Sequence, residues 1–523
     1  MDRKIKTKTV SHMATRLLIT IHLSLVFSIA QAQVSTWKKI TEEKIIAGGE
    51  FSFCGPPLEK VSPGQQSRLM KSIMKDVDPF IKKGSVSKKM MITNKNFVSR
   101  RVFRTGNEIF NLTRELIKNS QKEVLLQTYL YEKGSQGVLQ INKGIMELQA
   151  RLKKKGKPKV PVNVKLLIDD QSGIVGLYLK WAGEILSLDH KDPTGKDVYG
   201  LGFQQPIDPD YVRLEVKLYR HSMTGTNHSK TMVIDRAFGI VTGANYRIYH
   251  DRTPEFKNIA EFTDHGYLVM GDVADGMAKE FYVAWEDGTK YKTNSKQSAT
   301  GWNDFSQKVP FKLPKSVEKW VSGKILAKNV PVAIITRRPN NNPLKRNHKN
   351  PLGQTFFSIL RRAERHVDII NPNMGNPAIV NEVISAMARG IDINILLSKD
   401  YQDDLGSIPG AGGTNSKNVK TILNKRKKLM KKKGKRKIGH FNLRWFIDRR
   451  GRLSQNRTYT SHTKYIAADN QIVMVGSANL DSMSLFYARE INILVDSPDI
   501  ANIWCRQVFR TDFLRGQNYK KGD

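Results

Sequence analysis

The chain has 523 residues, with 87 Lys+Arg against 48 Asp+Glu and a formal net charge of +39. A hydrophobic fraction of 39% is enough to build a core, and two cysteines are too few for a disulfide scaffold. Global disorder and collagen-like repetition are excluded, and the charge favours polyanionic partners, either nucleic acid or an anionic membrane surface.

Residues 1–32 have the layout of a secretory signal. Arg3, Lys4, Lys6, Lys8 and Arg16 lead into an apolar stretch over 17–30, and small residues at Ala30 and Ala32 suit cleavage after Ala32. The apolar stretch is broken by His22, Ser24 and Ser28 and falls short of the ~20 residues that span a bilayer. The expected location is therefore outside the cytoplasm, in a periplasm or secreted. Export would place Cys54 and Cys505 in an oxidising compartment, where they either bridge the two ends of the chain or stay unpaired. Residues 33–95 form an N-terminal extension with no readable structure.

Two later stretches read alike. In the first, a β-branched run over 123–131 precedes a helical pattern (Ile141, Ile145, Leu148, Leu152) and a strand over 162–169. In the second, an amphipathic helix over 356–363 precedes a strand over 367–370, a helix over 379–388, a stop at Gly390 and a strand over 391–397. This order predicts α/β units with mostly parallel strands. Polar, turn-rich residues 293–304 mark the boundary between the halves. Residues 425–437 hold ten basic residues in thirteen. Such a block is either a solvated loop or a contact for anionic phosphates.

Each half ends in the same pattern. His228, Lys230 and Asp235 are followed by Gly243 and Asn245; His462, Lys464 and Asp469 are followed by Gly476, Ser477 and Asn479. On a strand, residues i and i+2 share a face, so each His–Lys pair points one way. The apolar runs 238–241 and 472–475 would return beside that strand as hairpins, carrying Asn245 or Asn479 back toward the pair. Asp235 and Asp469, farther along, are expected to tie strand ends together.

The duplicated motif resembles the signature of the phospholipase D superfamily, over residues 95–515. The second copy, from Gly476 through Ser484 with Glu490 beyond, is similar to cardiolipin synthases and bacterial phospholipase D-like nucleases. It departs at Met483, where arginine is common in those proteins, and Ala244 leaves the first copy without a hydroxyl. The resemblance implies two repeated α/β domains forming a bilobed pseudo-dimer, with one active site between them. The implied divisions are a first domain at 96–292, a linker at 293–325, a second domain at 326–515 and a tail at 516–523.

It also implies phosphodiester chemistry through a phosphohistidine. His228 would attack phosphorus while His462 protonates the leaving alkoxide, or the reverse. Lys230 and Lys464 would neutralise the non-bridging oxygens, with hydrogen bonds from Asn245, Asn479 and Ser477. Glu490, and Asp264 by alignment with it, would orient the imidazoles. No cofactor, metal or stable protein partner is expected. The expected substrate is phospholipid, at an anionic membrane surface. Nucleic acid is the alternative substrate, and a non-catalytic binding protein is the third reading.

Overall fold

The computed structural model describes residues 53–171, 201–203, 205–221, 224–250, 262–294, 314–318, 326–406, 412–433, 437–455 and 458–520. The expected signal sequence lies outside these residues, as do 33–52 of the extension and most of the linker.

The first half supplies eight strands: β1 (Ile92–Ser99), β2 (Glu123–Thr128), β3 (Val162–Asp169), β4 (Val212–Tyr219), β5 (Thr231–Ile234), β6 (Phe238–Thr242), β7 (Gly266–Met270) and β8 (Thr289–Thr293). The second supplies β9 (Leu326–Arg337), β10 (His366–Asn371), β11 (Asp392–Leu397), β12 (Phe441–Trp445), β13 (Tyr465–Ala468), β14 (Ile472–Gly476), β15 (Glu490–Asp496) and β16 (Gln517–Asn518). Outward from β1 the first half runs β1-β7-β6-β5-β2-β3-β4-β8. Outward from β9 the second runs β9-β15-β14-β13-β10-β11-β12-β16, the same order strand for strand. The repeat seen in the sequence is thus a repeat of topology, and the fold is the expected duplicated α/β pseudo-dimer. The expectation of mostly parallel strands is corrected. Among the described strands only β2–β3, β3–β4, β10–β11 and β11–β12 pair in parallel. The hairpins reverse the chain, and the other pairings are antiparallel.

The halves do not stand apart as two sheets. β1 pairs antiparallel with β9, from Ile92 opposite Ala333 to Ser99 opposite Leu326, and joins them into one sheet. The expected start of the first domain at 96 therefore falls inside β1. Asn96 sits at the irregularity in this pairing, where its amide donates to the Val330 carbonyl (2.9 Å) and its side-chain oxygen accepts from Val273 N–H (2.9 Å).

Alternation along the strands feeds both faces. Ile466 and Ala468 point into one cluster, and Tyr465 and Ala467 into another. The second cluster is shared between halves, because Val233, Val241 and Val269 meet Ile491, Ile493 and Val495 there. On the opposite face each half has its own core, under α2 (Gly106–Lys118) and α3 (Gln136–Lys155) in the first and α5 (Pro351–Arg362) and α6 (Pro377–Ala388) in the second. Side-chain caps start these helices: Thr105 before α2, Ser135 before α3, Asn350 before α5 and Asn376 before α6.

The extension has a definite structure from residue 53 onward. Its helix α1 (Arg68–Val77) buries Leu69, Met70, Ile73 and Val77 against Phe356 and Leu360 of α5. Ser67 N–H donates to Asp496 (2.6 Å), and Cys54 forms a disulfide with Cys505 across 451 residues of sequence. The structure thus selects the bridged alternative for the cysteines.

The loop reading of the basic block is corrected. Helix α7 (Asn415–Lys433) continues into it. Val419 and Ile422 are fully buried on one side, while Lys417, Lys420, Lys425, Lys427, Lys428, Lys431 and Lys432 are exposed. An apolar stripe at helical spacing, Val419, Ile422 and Leu423, packs the start of the helix on the core. Among the described residues, no helix is long and apolar enough to cross a membrane.

Candidate active site

Each motif leads into a hairpin that is anchored at its far end. β5–β6 and β13–β14 are joined by tight turns in which Asp235, Arg236, Asp469 and Asn470 have φ between +53° and +57°. Asp and Asn tolerate this left-handed region better than branched residues. The Asp235 carboxylate accepts from the N–H groups of Gln121, Lys122 and Glu123 at 2.7–2.9 Å. Asp469 accepts from Glu364, Arg365 and His366 at 2.8–3.0 Å. Both motif aspartates thereby fix the start of the neighbouring antiparallel strand, β2 or β10, and the structure places them away from the histidines.

The His–Lys segments lie one step before the strands, because β5 begins at Thr231 and β13 at Tyr465. Their backbone partners come from the opposite half. His228 N–H donates to the Arg489 carbonyl (3.0 Å), and Arg489 N–H to Thr226 (2.7 Å). In the other copy, His462 N–H donates to Thr263 (2.8 Å), and Thr263 N–H to Thr460 (2.8 Å). Each lysine ammonium donates to the carbonyl of the histidine two residues before it, Lys230 to His228 at 2.7 Å and Lys464 to His462.

This exchange carries the acids across. Glu490 of the second half meets Nδ1 of His228 at 2.9 Å, and Asp264 of the first half meets Nδ1 of His462 at 2.9 Å. Each Nδ1 is thus bonded by the acid of the other half. Gly243 allows the close approach, since a Cβ there would collide with the Asp264 carboxylate. Its carbonyl also faces His462 Nδ1 at 3.1 Å.

The acids are held differently. Glu490 accepts from the hydroxyls of Ser477 and Ser484, so Ser477, expected to contact substrate, is engaged with the acid. Ala244 supplies no hydroxyl in the first copy. His250 stands beside the acid instead, with Nδ1 at 3.2 Å from Asp264. Sequence reasoning missed His250, and the only available signal was a histidine five residues beyond Asn245. Met483 packs on the core, and Arg337 of β9 binds the carbonyls of Leu485, Phe486 and Ala488 in the following turn. Asn245 and Asn479 are buried, and neither Oδ1 has a hydrogen-bond partner among the described residues.

Burial lowers the pKa of His228, and Lys230 and Lys464 depress it further against the opposing pull of Glu490. Burial and Lys464 hold His462 well below the usual range. Burial acts to raise both carboxyls, but His228 and Lys230 outweigh it at Glu490, and His462 and His250 outweigh it at Asp264. These directions favour ionised acids beside neutral imidazoles. An Nδ1–H donated to carboxylate leaves each Nε2 lone pair free. The ammonium of Lys464 acts on Lys230 and on His228, so the two motifs form one electrostatic unit.

Burial pushes Lys230 down to about 7 and Lys464 to about 8, against the opposing pull of Glu490 and Asp264. If the lysines act as charged ammoniums on a phosphodiester, kcat/KM is expected to fall as pH rises through 7 to 8. The profile of kcat should keep its plateau to higher pH, since a bound phosphodiester anion favours the protonated lysines. Coincident alkaline limbs in the two profiles would count against lysine titration.

Two groups among the described residues bring metal-ligating atoms together: His250, Asp264 and His462, and Asp169, Asp170 and His221. The first group is the acid–histidine cluster itself.

The duplicated sheet and the crossed histidine–acid pairs define a pseudo-dimeric α/β protein with one paired His–Lys site. Residues 356–512 match the family profile described as cardiolipin synthase, PLD-like domain. The second half of the chain thus contains a PLD-like domain of that family. Its fold is similar to that of phosphatidylserine synthase from Haemophilus influenzae, at 14% identity and a TM-score of 0.52, covering 87% of this chain and 92% of that one. A phospholipase D family member, Nuc from Salmonella typhimurium, aligns at 15% identity and a TM-score of 0.26, over 36% of this chain and 98% of that one. No curated protein sequence matches.

Proposed function

We propose that the protein is a phospholipid-directed phosphodiesterase or phosphatidyltransferase working through a phosphohistidine. The observation that carries this reading is the crossed pairing. Two imidazoles, each with Nδ1 on a buried carboxylate from the opposite half, share a site with two lysines.

Nε2 of His228 attacks phosphorus and the bond to the leaving oxygen breaks, while His462 gives that oxygen a proton. The negative charge of the bound phosphodiester favours the protonated form of His462 needed for this step. His462 then takes a proton from water or an alcohol, which attacks phosphorus and releases His228. Pseudo-symmetry allows the two roles to be exchanged. Lys230 and Lys464 balance charge on the non-bridging oxygens, and Asn245 and Asn479 offer hydrogen bonds to them.

The match of residues 356–512 to the cardiolipin synthase-type domain supports lipid as substrate. A net charge of +39 and the basic face of α7 favour the second reading, a nuclease of the same chemistry. Incubation with mixed phospholipid vesicles and with plasmid DNA, each in EDTA, separates the two. Head-group release or transfer with intact DNA is expected; DNA cleavage with untouched lipid would overturn the lipid reading.

We also infer export to an oxidising compartment, with Gln33 as the mature N-terminus. The Cys54–Cys505 bridge supports this. N-terminal sequencing of fractionated protein tests it, and an intact Met1 on cytoplasmic protein would overturn it.

A further inference from the structure

The loop between β9 and α5 presents a leucine to solvent. Leu344 is 89% exposed, the most exposed of the large hydrophobic side chains among the described residues. A single exposed leucine is ordinary on a protein surface. Three further observations set this one apart.

The loop is fixed in place. The Asn340 amide donates to the Lys345 carbonyl (2.8 Å), and its side-chain oxygen accepts from Asn342 N–H (3.1 Å). The Asn342 side chain in turn accepts from Leu344 N–H (2.9 Å). Tyr487 donates its hydroxyl to the Pro343 carbonyl (2.6 Å), and Asn340 N–H returns to the Tyr487 carbonyl (2.8 Å). Stapled in this way, Leu344 cannot fold back onto the protein.

The loop is also basic. Arg338, Lys345, Arg346 and Lys349 are exposed around the leucine, and among the described residues none is paired with a carboxylate.

Lastly, it adjoins the site. Thr224 donates its hydroxyl to the Asn340 carbonyl (2.8 Å), and Gly225 N–H donates to Asn341 Oδ1 (3.1 Å), three residues before His228. On the other side, Tyr487 lies three residues before Glu490.

We propose that this loop docks the active site on an anionic phospholipid surface, with Leu344 entering the acyl boundary and the four cations meeting lipid phosphates. A phosphodiester backbone of nucleic acid would satisfy the cations equally, but it offers no apolar phase for a rigidly displayed leucine. Charge attraction and apolar insertion together are what an interfacial anchor requires. The proposal rests on the lipid reading for its purpose, yet its docking step is measured without turnover.

The test is co-sedimentation with vesicles of phosphatidylglycerol and phosphatidylcholine in equal parts, using the full chain. At ~1 kcal/mol per basic residue near an anionic surface, K345Q/R346Q should weaken partitioning about thirtyfold at low salt, with the deficit shrinking as salt rises. Leu344→Ser should weaken it about tenfold, and this deficit should persist at high salt because apolar insertion is not screened. Wild-type-like partitioning of either variant, or failure of the wild type to partition, overturns the proposal. So does a loss confined to oligonucleotide binding, which would make the loop a nucleic-acid contact. Turnover of the same vesicles, read separately, reports on the lipid reading alone.

Discussion

Replacing His228 or His462 with alanine is expected to lower kcat on a phosphodiester substrate by ~10⁴-fold or more. One histidine forms the covalent bond to phosphorus and the other moves the proton, so neither can substitute for the other. The double variant should therefore be little worse than the poorer single variant, because groups acting in one cycle do not contribute independently. Both variants should fold. Loss of the His228 ring leaves Glu490 bonded to Ser477 and Ser484, and loss of the His462 ring leaves Asp264 facing His250. Steady-state turnover with purified protein checks the loss, and a thermal melt checks the fold. Activity of the His462→Ala protein within tenfold of wild type would remove the two-histidine mechanism.

Much of the local structure was legible because it is written in short periods. The strand at 162–169 is β3 (Val162–Asp169), and the helix at 379–388 lies within α6 (Pro377–Ala388). The two hairpins fall where the apolar runs after Asp235 and Asp469 place them. Gly390, with φ +96°, is the helix stop that its position implies.

What stayed hidden depends on pairings between distant parts of the chain. His228 and Glu490 are 262 residues apart, and His462 and Asp264 are 198 apart. Alignment of the repeats identifies the acids, yet only the three-dimensional exchange between halves shows that each acid serves the other half's histidine. The β1–β9 pairing is hidden for the same reason, since no local pattern in 92–99 points to 326–337. His250 lies outside the repeated motif, so repetition gave it no weight. The extension from residue 53 onward gains its structure by packing on a core made elsewhere, through Ser67, Cys54 and the apolar face of α1.

The crossed arrangement makes its own prediction. Glu490→Gln keeps the volume and a hydrogen-bond acceptor at His228 while removing the charge, and Asp264→Asn does the same at His462. Each should cost roughly 10³-fold in kcat, since an imidazole without its carboxylate is poorly oriented and its imidazolium loses stabilisation. Loss of activity alone would not distinguish crossed from uncrossed pairing, but the titration of each ring does. A neighbouring carboxylate favours the imidazolium, so it raises the pKa of its own histidine against the lowering effect of burial. Glu490→Gln should therefore move the His228 titration further down and leave His462 nearly unmoved, while Asp264→Asn should do the reverse. NMR titration of histidine-labelled protein reads both rings in one experiment. A downward shift of His462 in the Glu490→Gln protein, with His228 unmoved, would mean that each half orients its own histidine, and the exchange between halves would have to be abandoned.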